Sequence, residues 1–254
     1  MKINKKLKSM FSYTIQIIKA NPVILALIFF IVIFSSIYPE RFLTPLNFLT
    51  ILKQFVTFTL FALGPSIVIV TGSLDLSYVG IWMLGSILVW LLQPILGIFA
   101  ILVIPLLGLT TGLLIGVIQV KAKIPSFILT LSLLVTYSGL TAVLSGGYAR
   151  PVRGYEFITA PLIPYLPTAF LWSIPIMAVA IFIMKCTRFG IYLYAIGSNE
   201  EGVRLAGVNV NKYKILAFMI SGIFTGIGSI ILFQHLGGAA PVELNLNNIV
   251  WPLV

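Results

Sequence analysis

The chain has 254 residues, of which 59% are hydrophobic and only 9% are charged. Soluble domains are about one quarter charged, so this composition excludes a soluble globular protein. The formal charge of +10 fits the topology-setting and lipid-contacting cations of a membrane protein, not a nucleic-acid-binding surface.

The apolar runs are long and do not alternate with period two, which indicates membrane-spanning helices and not a β-barrel. We therefore predict an all-α polytopic transmembrane helical bundle with about seven spans, preceded by a basic tail over residues 1–20. Pro105 is expected to kink the fourth span. In chain order, the predicted spans are Pro22–Tyr38, Phe55–Val70, Val79–Leu92, Leu96–Val120, Pro125–Leu144, Pro167–Met184 and Ile215–Phe233.

The connections between these runs differ in character. Pro39–Leu49 is predicted to be a turn-rich connector, and Gly146–Leu166 is a loop rich in Gly and Pro. Residues 185–214 form a polar, charged connection between the sixth and seventh runs. The single cysteine, Cys186, excludes an internal disulfide.

Lysine and arginine counts predict the orientation, because cytoplasmic loops carry the excess of these residues. With a cytoplasmic N-terminus and simple alternation of the spans, twelve cations lie inside and four lie outside. The segment 185–214 is then cytoplasmic. The four cations on the outside are Arg41, Lys53, Arg150 and Arg153.

A short helix is predicted within the segment 185–214, over Asn199–Ala206. Gly197 and Ser198 precede it, where a turn and an N-cap are expected, and Glu200 and Glu201 occupy a first turn that favours negative charge. Gly207 follows, where a left-handed C-cap residue is expected. Local sequence alone leaves two interpretations open, a solvated connector or a docking element for another protein.

Asp75, the only aspartate, lies in the sequence TGSLDLS between two apolar runs. A lone carboxylate at membrane depth normally lines a cavity, pairs with a partner or lies in a loop. Asp75 therefore either lies near a translocation path or caps the helix that begins near Ser77, and the two roles are compatible. Thr71, Gly72 and Ser73 belong to the same motif, and Gly72 and Ser73 favour a break in the helix.

Catalytic chemistry has no support in the sequence. No Cys, His, Asp and Glu cluster has metal-ligand spacing, and a Ser–His–Asp set is not credible with one His and one Asp on different elements. No GxxxxGK[ST] motif occurs, so the chain has no ATP-binding loop of that type. We predict no catalytic residue, metal or cofactor, and therefore no enzyme.

Glycines at four-residue spacing are a separate feature of the fourth predicted span. Gly108, Gly112 and Gly116 place a flat face on one side of a helix, which permits close packing against another helix. Internal packing of the bundle is favoured over a dimer interface. A second group, Gly222, Gly226 and Gly228, lies in the seventh predicted span.

Three separate motifs together resemble the permease subunits of ribose-type sugar importers of the ATP-binding-cassette class. The motifs are TGSLDLS (71–77), KIPSFILTL (123–131) and TRFGIYLYAIGSNEEGVRLAGVNV (187–210). They follow the order expected for that family, and the resemblance extends over about residues 21–246. The sequence departs from the usual pattern at Ser73, Tyr78, Gly202 and Val203.

The resemblance implies a function and a set of partners. Two permease subunits, identical or different, form the path in the bacterial plasma (inner) membrane, cytoplasmic ATPase subunits hydrolyse ATP, and an extracytoplasmic solute-binding protein delivers a monosaccharide or similar small polar solute. The implied ATPase-coupling residues are Gly197, Asn199, Glu200, Glu201, Arg204 and Gly207. The implied substrate-path or structural residues are Thr71, Gly72, Asp75 and Ser77.

Residues 1–254 are expected to form one permease domain. Members of the family continue beyond the point that corresponds to Val254, so C-terminal spans are expected to be missing. Two alternatives follow from the residues: an ion-coupled secondary transporter that uses Asp75, and a truncated copy that binds partners without transporting.

Overall fold

The structure is a computed structural model that describes residues 22–163 and 166–239. The basic tail over 1–20 and the final apolar segment Ile249–Val254 lie outside the described residues. The chain divides into two compact units, Met1–Ile51 and Leu52–Val254, which are described separately. In the described parts of both units, α-helices dominate, as the composition predicts.

The first unit contains an apolar helix α1 (Pro22–Ile37), a four-residue helix α2 (Pro39–Phe42) and the start of α3 (Pro45–Ile69). The ring of Phe34 stacks on that of Phe42, with centroids 5.8 Å apart. Helix α3 begins at Pro45, so the predicted turn-rich connector is wrong for its second half. Thr44 supplies the reason, because its hydroxyl accepts a hydrogen bond from the Asn47 N–H at 3.2 Å and starts the helix.

The second unit contains the remaining helices and four short strands. The helices are α4 (Ser77–Leu96), α5 (Val103–Ala122), α6 (Ser126–Ser145), α7 (Thr168–Cys186), α8 (Arg188–Ser198), α9 (Glu200–Leu205) and α10 (Val210–His235). The strands are β1 (Arg150–Pro151), β2 (Pro161–Ile163), β3 (Leu166–Pro167) and β4 (Gly238–Ala239), and 3₁₀ helices cover Gly97–Leu102 and Glu156–Ile158. The strands form two antiparallel pairs, β1 with β4 and β2 with β3.

Five helical segments of the described residues are long and apolar enough to cross a membrane. One of them, Ser77–Ala122, has 46 residues and consists of α4, the 3₁₀ helix and α5. Helices α4 and α5 lie against each other, because a Cβ on Gly85 would be 3.1 Å from the Ile104 side chain. The chain is therefore an all-α polytopic membrane protein.

The chain reverses direction near Gly97, which has a φ of +57°, and not at Pro105. Pro105 lies in the first turn of α5, where the missing N–H costs no helical hydrogen bond, so the predicted kink is wrong. The prolines inside helices are Pro65 in α3, Pro94 in α4 and Pro175 in α7.

The face of α5 that contains Gly108, Gly112 and Gly116 packs directly on α10. A Cβ on Gly108 would lie 2.0 Å from the Gly222 carbonyl oxygen, and one on Gly112 would lie 2.1 Å from that of Phe218. A Cβ on Gly226 would lie 2.4 Å from the Cα of Pro105. No side chain fits in this contact, which confirms the predicted close packing within the bundle.

Candidate functional site

The connection between α7 and α10 contains two helices where one was predicted. Helix α8 begins after Thr187, whose hydroxyl accepts a hydrogen bond from the Gly190 N–H. Gly197 and Ser198 form the end of α8, so the predicted cap at Ser198 is wrong. Asn199 is the N-cap of α9 instead, because its Oδ1 accepts a 2.9 Å hydrogen bond from the Gly202 N–H.

The predicted short helix is present as α9 (Glu200–Leu205). Glu200 and Glu201 lie in its first turn and Arg204 in its last, which matches the helix dipole at both ends. Gly207 follows in a left-handed conformation with a φ of +81°, as predicted for the residue that ends the helix.

Two cations bind Glu200. Lys214, in the second turn of α10, donates to Oε2 at 2.5 Å, and Arg204 donates to Oε1 at 3.0 Å. The hydrogen bond from Lys214 is the main cause that lowers the pKa of the Glu200 carboxyl, with a smaller contribution from Arg204. Helix α9 is thereby attached to α10 through Glu200, whereas the side chain of Glu201 is 73% exposed and lies 3.8 Å from Arg204.

Gly197 brings the end of α8 against the end of α3. A Cβ on Gly197 would lie 2.0 Å from the Val70 carbonyl oxygen and 3.5 Å from the Cα of Thr71. The segment 71–77 begins at that point. The two sets of predicted site residues, which are more than a hundred positions apart in sequence, are thus in direct backbone contact.

Three helices hold the segment 71–77 in addition to α8. Gln119 of α5 donates to the Ser73 hydroxyl at 3.2 Å, and the Ser126 hydroxyl of α6 accepts from the Leu74 N–H at 3.0 Å. Gly72 has a φ of +76°, which permits the turn after α3. The Thr71 hydroxyl bonds back to the Val68 carbonyl.

The third helix that holds this segment is α10, and the contact is made by Asp75. Its side chain is buried, at 2% exposure of the residue, and its Oδ1 accepts hydrogen bonds from the N–H and the hydroxyl of Ser77, at 2.9 and 2.6 Å. Its Oδ2 accepts a 3.2 Å hydrogen bond from Ser221 of α10. Asp75 therefore bonds the start of α4, as a capping carboxylate does, and also joins it to α10.

Sequence reasoning missed several residues of this site. Ser221 and Lys214 lie in a span or at its start and have no local motif, and the helix α8 was not predicted. Leu205 was also missed, although an apolar residue that is 81% exposed at the end of a charged helix is a docking signal once the helix is known. Among the described residues, no group of three or more His, Cys, Asp and Glu could hold a metal ion.

Comparisons with known proteins identify the family to which this chain is related. The family described as "Branched-chain amino acid transport system / permease component" matches residues 47–254. The ribose import permease protein of Haemophilus influenzae is 34% identical over 227 residues, which cover 85% of this chain and 69% of the relative. That of Escherichia coli K12 is 32% identical over 237 residues, which cover 86% and 70%.

A more distant relative is the xylose/arabinose import permease protein of Sulfolobus acidocaldarius, which is 30% identical over 195 residues covering 73% of this chain and 53% of the relative. No solved structure gives a significant match. The family match covers most of the chain, and import permeases of the plasma membrane are its relatives. The chain belongs to the family of membrane permease components that includes the ribose import permeases.

Proposed function

We propose that this chain is the permease subunit of an ATP-binding-cassette importer that carries a monosaccharide. The named substrates of its relatives are sugars, which supports the substrate class. The observation that carries the proposal is α9, a capped helix bonded to α10 through Glu200 while Glu201 and Leu205 remain exposed. ATP hydrolysis takes place in separate cytoplasmic ATPase subunits.

Helix α9 is the docking element for the ATPase subunit. Glu201, Arg204 and Leu205 present two charges and one apolar side chain to the partner. Glu200 is occupied by Lys214 and Arg204, so it fixes the helix to the bundle rather than contacting the partner. Asn199 and Gly207 hold the two ends of the helix, and Gly197 fixes the approach of α8.

Movement of α9 reaches the segment 71–77 by two routes. One is the backbone contact between Gly197 and Val70, and the other runs through Lys214 along α10 to Ser221 and Asp75. Both routes end at the junction of α3 and α4, where Thr71, Gly72, Asp75 and Ser77 act as a structural hinge near the path. ATP-driven closure of the ATPase dimer then tilts these helices and alternates access to the path.

The topology that fits this mechanism has seven spans and a cytoplasmic N-terminus. Seven spans require that α4 and α5 cross separately and that α1 crosses as well. The cation count then places α8 and α9 on the cytoplasmic side, with twelve cations inside and four outside. Residues 1–254 act as one permease domain, with residues 185–214 as its coupling loop.

The transporter requires partners besides the ATPase. A second permease subunit completes the path, and an extracytoplasmic solute-binding protein delivers the sugar. The ion-coupled alternative has less support, because both oxygens of Asp75 accept hydrogen bonds that hold helices together.

A pull-down of the tagged chain from native membranes in mild detergent tests the docking role. We expect recovery of a protein with a GxxxxGK[ST] motif, and loss of that protein with Glu201→Arg. The matched control is Glu40→Arg, which makes the same change at an exposed acidic residue on the opposite proposed face. Equal recovery with both variants contradicts the proposed role of α9.

A further inference from the structure

A cavity of about 340 Å³ lies between α9, the start of α10 and the turn that joins α5 to α6. Its size falls within the range of ordinary ligand sites, about 300–1,000 Å³. Its lining includes four charged residues, which are Lys123, Glu200, Arg204 and Lys214. Arg204 belongs both to this lining and to the proposed docking face of α9, whereas Glu201 and Leu205 of that face do not line the cavity.

The lining carries more positive than negative charge. Three cations face the cavity against one carboxylate, Glu200, which Arg204 and Lys214 already share. Lys123 has no ion pair within residues 22–163 and 166–239. Its backbone is left-handed, with a φ of +55°, the one such non-glycine residue of the described ranges. Because the lining has an excess of positive charge, it favours an anionic ligand.

The lining of the cavity also contains apolar residues, and further exposed apolar residues follow them in the chain. Ile124 and Pro125 belong to its lining, and Phe127 and Ile128, which follow in the first turn of α6, are about half exposed. A ligand with an anionic head and apolar chains fits this arrangement, because the head meets the cations while the chains follow α6. A basic pocket between transmembrane helices is a known type of phospholipid head-group site.

We propose that this cavity binds the phosphate of an anionic phospholipid, with Lys123 as its main unshared cation. The acyl chains lie along the exposed start of α6. Because Arg204 and Lys214 line the same cavity and hold Glu200, the bound phosphate lies beside the attachment of α9 to α10.

The test uses the purified chain in a neutral detergent and three probes, with binding measured by calorimetry. The probes are dihexanoyl-phosphatidylglycerol, dihexanoyl-phosphatidylcholine and inorganic phosphate. We expect the anionic lipid to bind at least tenfold more tightly than either of the others. Lys123→Gln should weaken that binding about tenfold, the loss expected for one charge-assisted hydrogen bond.

Two further variants distinguish binding in the cavity from non-specific attraction to the positive charge of the surface. Lys121→Gln removes a cation from the last turn of the same helix but outside the cavity, and it should change the affinity less than twofold. Lys123→Arg keeps the charge and should retain binding. An equal loss with Lys121→Gln, equal binding of phosphatidylcholine, or binding of inorganic phosphate as tight as that of the anionic lipid each overturns the proposal.

Discussion

Ser221 donates a 3.2 Å hydrogen bond to Asp75, and this bond joins two parts of the chain that are 146 residues apart. Asp75 also bonds the N–H and the hydroxyl of Ser77, so the same carboxylate orients the start of α4. All three residues are buried. Asp75 therefore links α4 to α10 through hydrogen bonds. The free energy that this link contributes to folding can be measured.

Asp75→Ala should lower the free energy of unfolding by about 3 kcal/mol, because it leaves buried donors on Ser77 and Ser221 without an acceptor. Ser221→Ala should cost about 1 kcal/mol. The double variant should cost less than the sum, since the two residues share one bond. The measurement is unfolding in mixed micelles of SDS and a mild detergent.

Ser229→Ala is the matched control for this cycle. Ser229 is also buried on α10, but its hydroxyl bonds the Thr225 carbonyl within the same helix. It should show no coupling to Asp75→Ala. Additive effects of Asp75→Ala and Ser221→Ala would contradict this link between α4 and α10.

The sequence was sufficient to predict features that depend on local pattern. The apolar runs predicted the helices, the spacing of Gly108 and Gly112 predicted their close packing, and Gly207 predicted the end of α9. Contacts between distant positions, such as Ser221 with Asp75, have no local signal and required the fold. The sequence favours Ser198 as the cap whereas the structure has Asn199, because either residue type caps a helix and only the backbone conformation distinguishes them.

Gly108→Ala should destabilise the chain by about 2 kcal/mol or more, because its methyl group would overlap the Gly222 carbonyl and force α5 away from α10. Gly139→Ala is the control within a helix. Nothing lies within 4 Å of a Cβ at Gly139, so alanine there should be neutral or stabilising by up to about 1 kcal/mol. Unfolding in the same mixed micelles measures both, and similar effects of the two variants would exclude tight packing at Gly108.

The bond between Lys214 and Glu200 should make stability depend on pH. The folded pKa of Glu200 lies below its ordinary value of 4.5. The stability that the ionised Glu200 carboxylate contributes is therefore fully present above about pH 4.5. It is lost as the pH falls through the pKa of the folded state. The half-exposed position of Glu200 makes the effect small, because solvent screens the pair.

Glu200→Gln provides the comparison for this pH dependence. The difference in unfolding free energy between wild type and Glu200→Gln should be constant from pH 7 to about pH 5 and should shrink at lower pH. A difference that grows as the pH falls would show that the carboxylate does not stabilise the fold.

Leu205→Ala should weaken ATPase docking about tenfold or more, as expected when an exposed apolar anchor is removed from the centre of a small interface. It should leave the stability of the isolated chain unchanged, because Leu205 is largely exposed. Leu236→Ala is the control, since Leu236 is also exposed but follows the opposite end of α10. Co-purification with the ATPase subunit measures docking, and an equal effect of the two variants would argue against α9 as the contact.

Gly197→Ala should separate docking from transport. Its methyl group would overlap the Val70 carbonyl and push α8 from the end of α3, while α9 and its exposed face remain intact. We expect the ATPase subunit to co-purify at the wild-type level while sugar uptake into proteoliposomes falls about tenfold.

Ser198→Ala changes the adjacent residue, whose hydroxyl bonds only the Tyr194 carbonyl of α8, and should leave uptake unchanged. Loss of docking together with uptake would mean that Gly197 positions α9 itself, and normal uptake would remove the contact with Val70 from the mechanism.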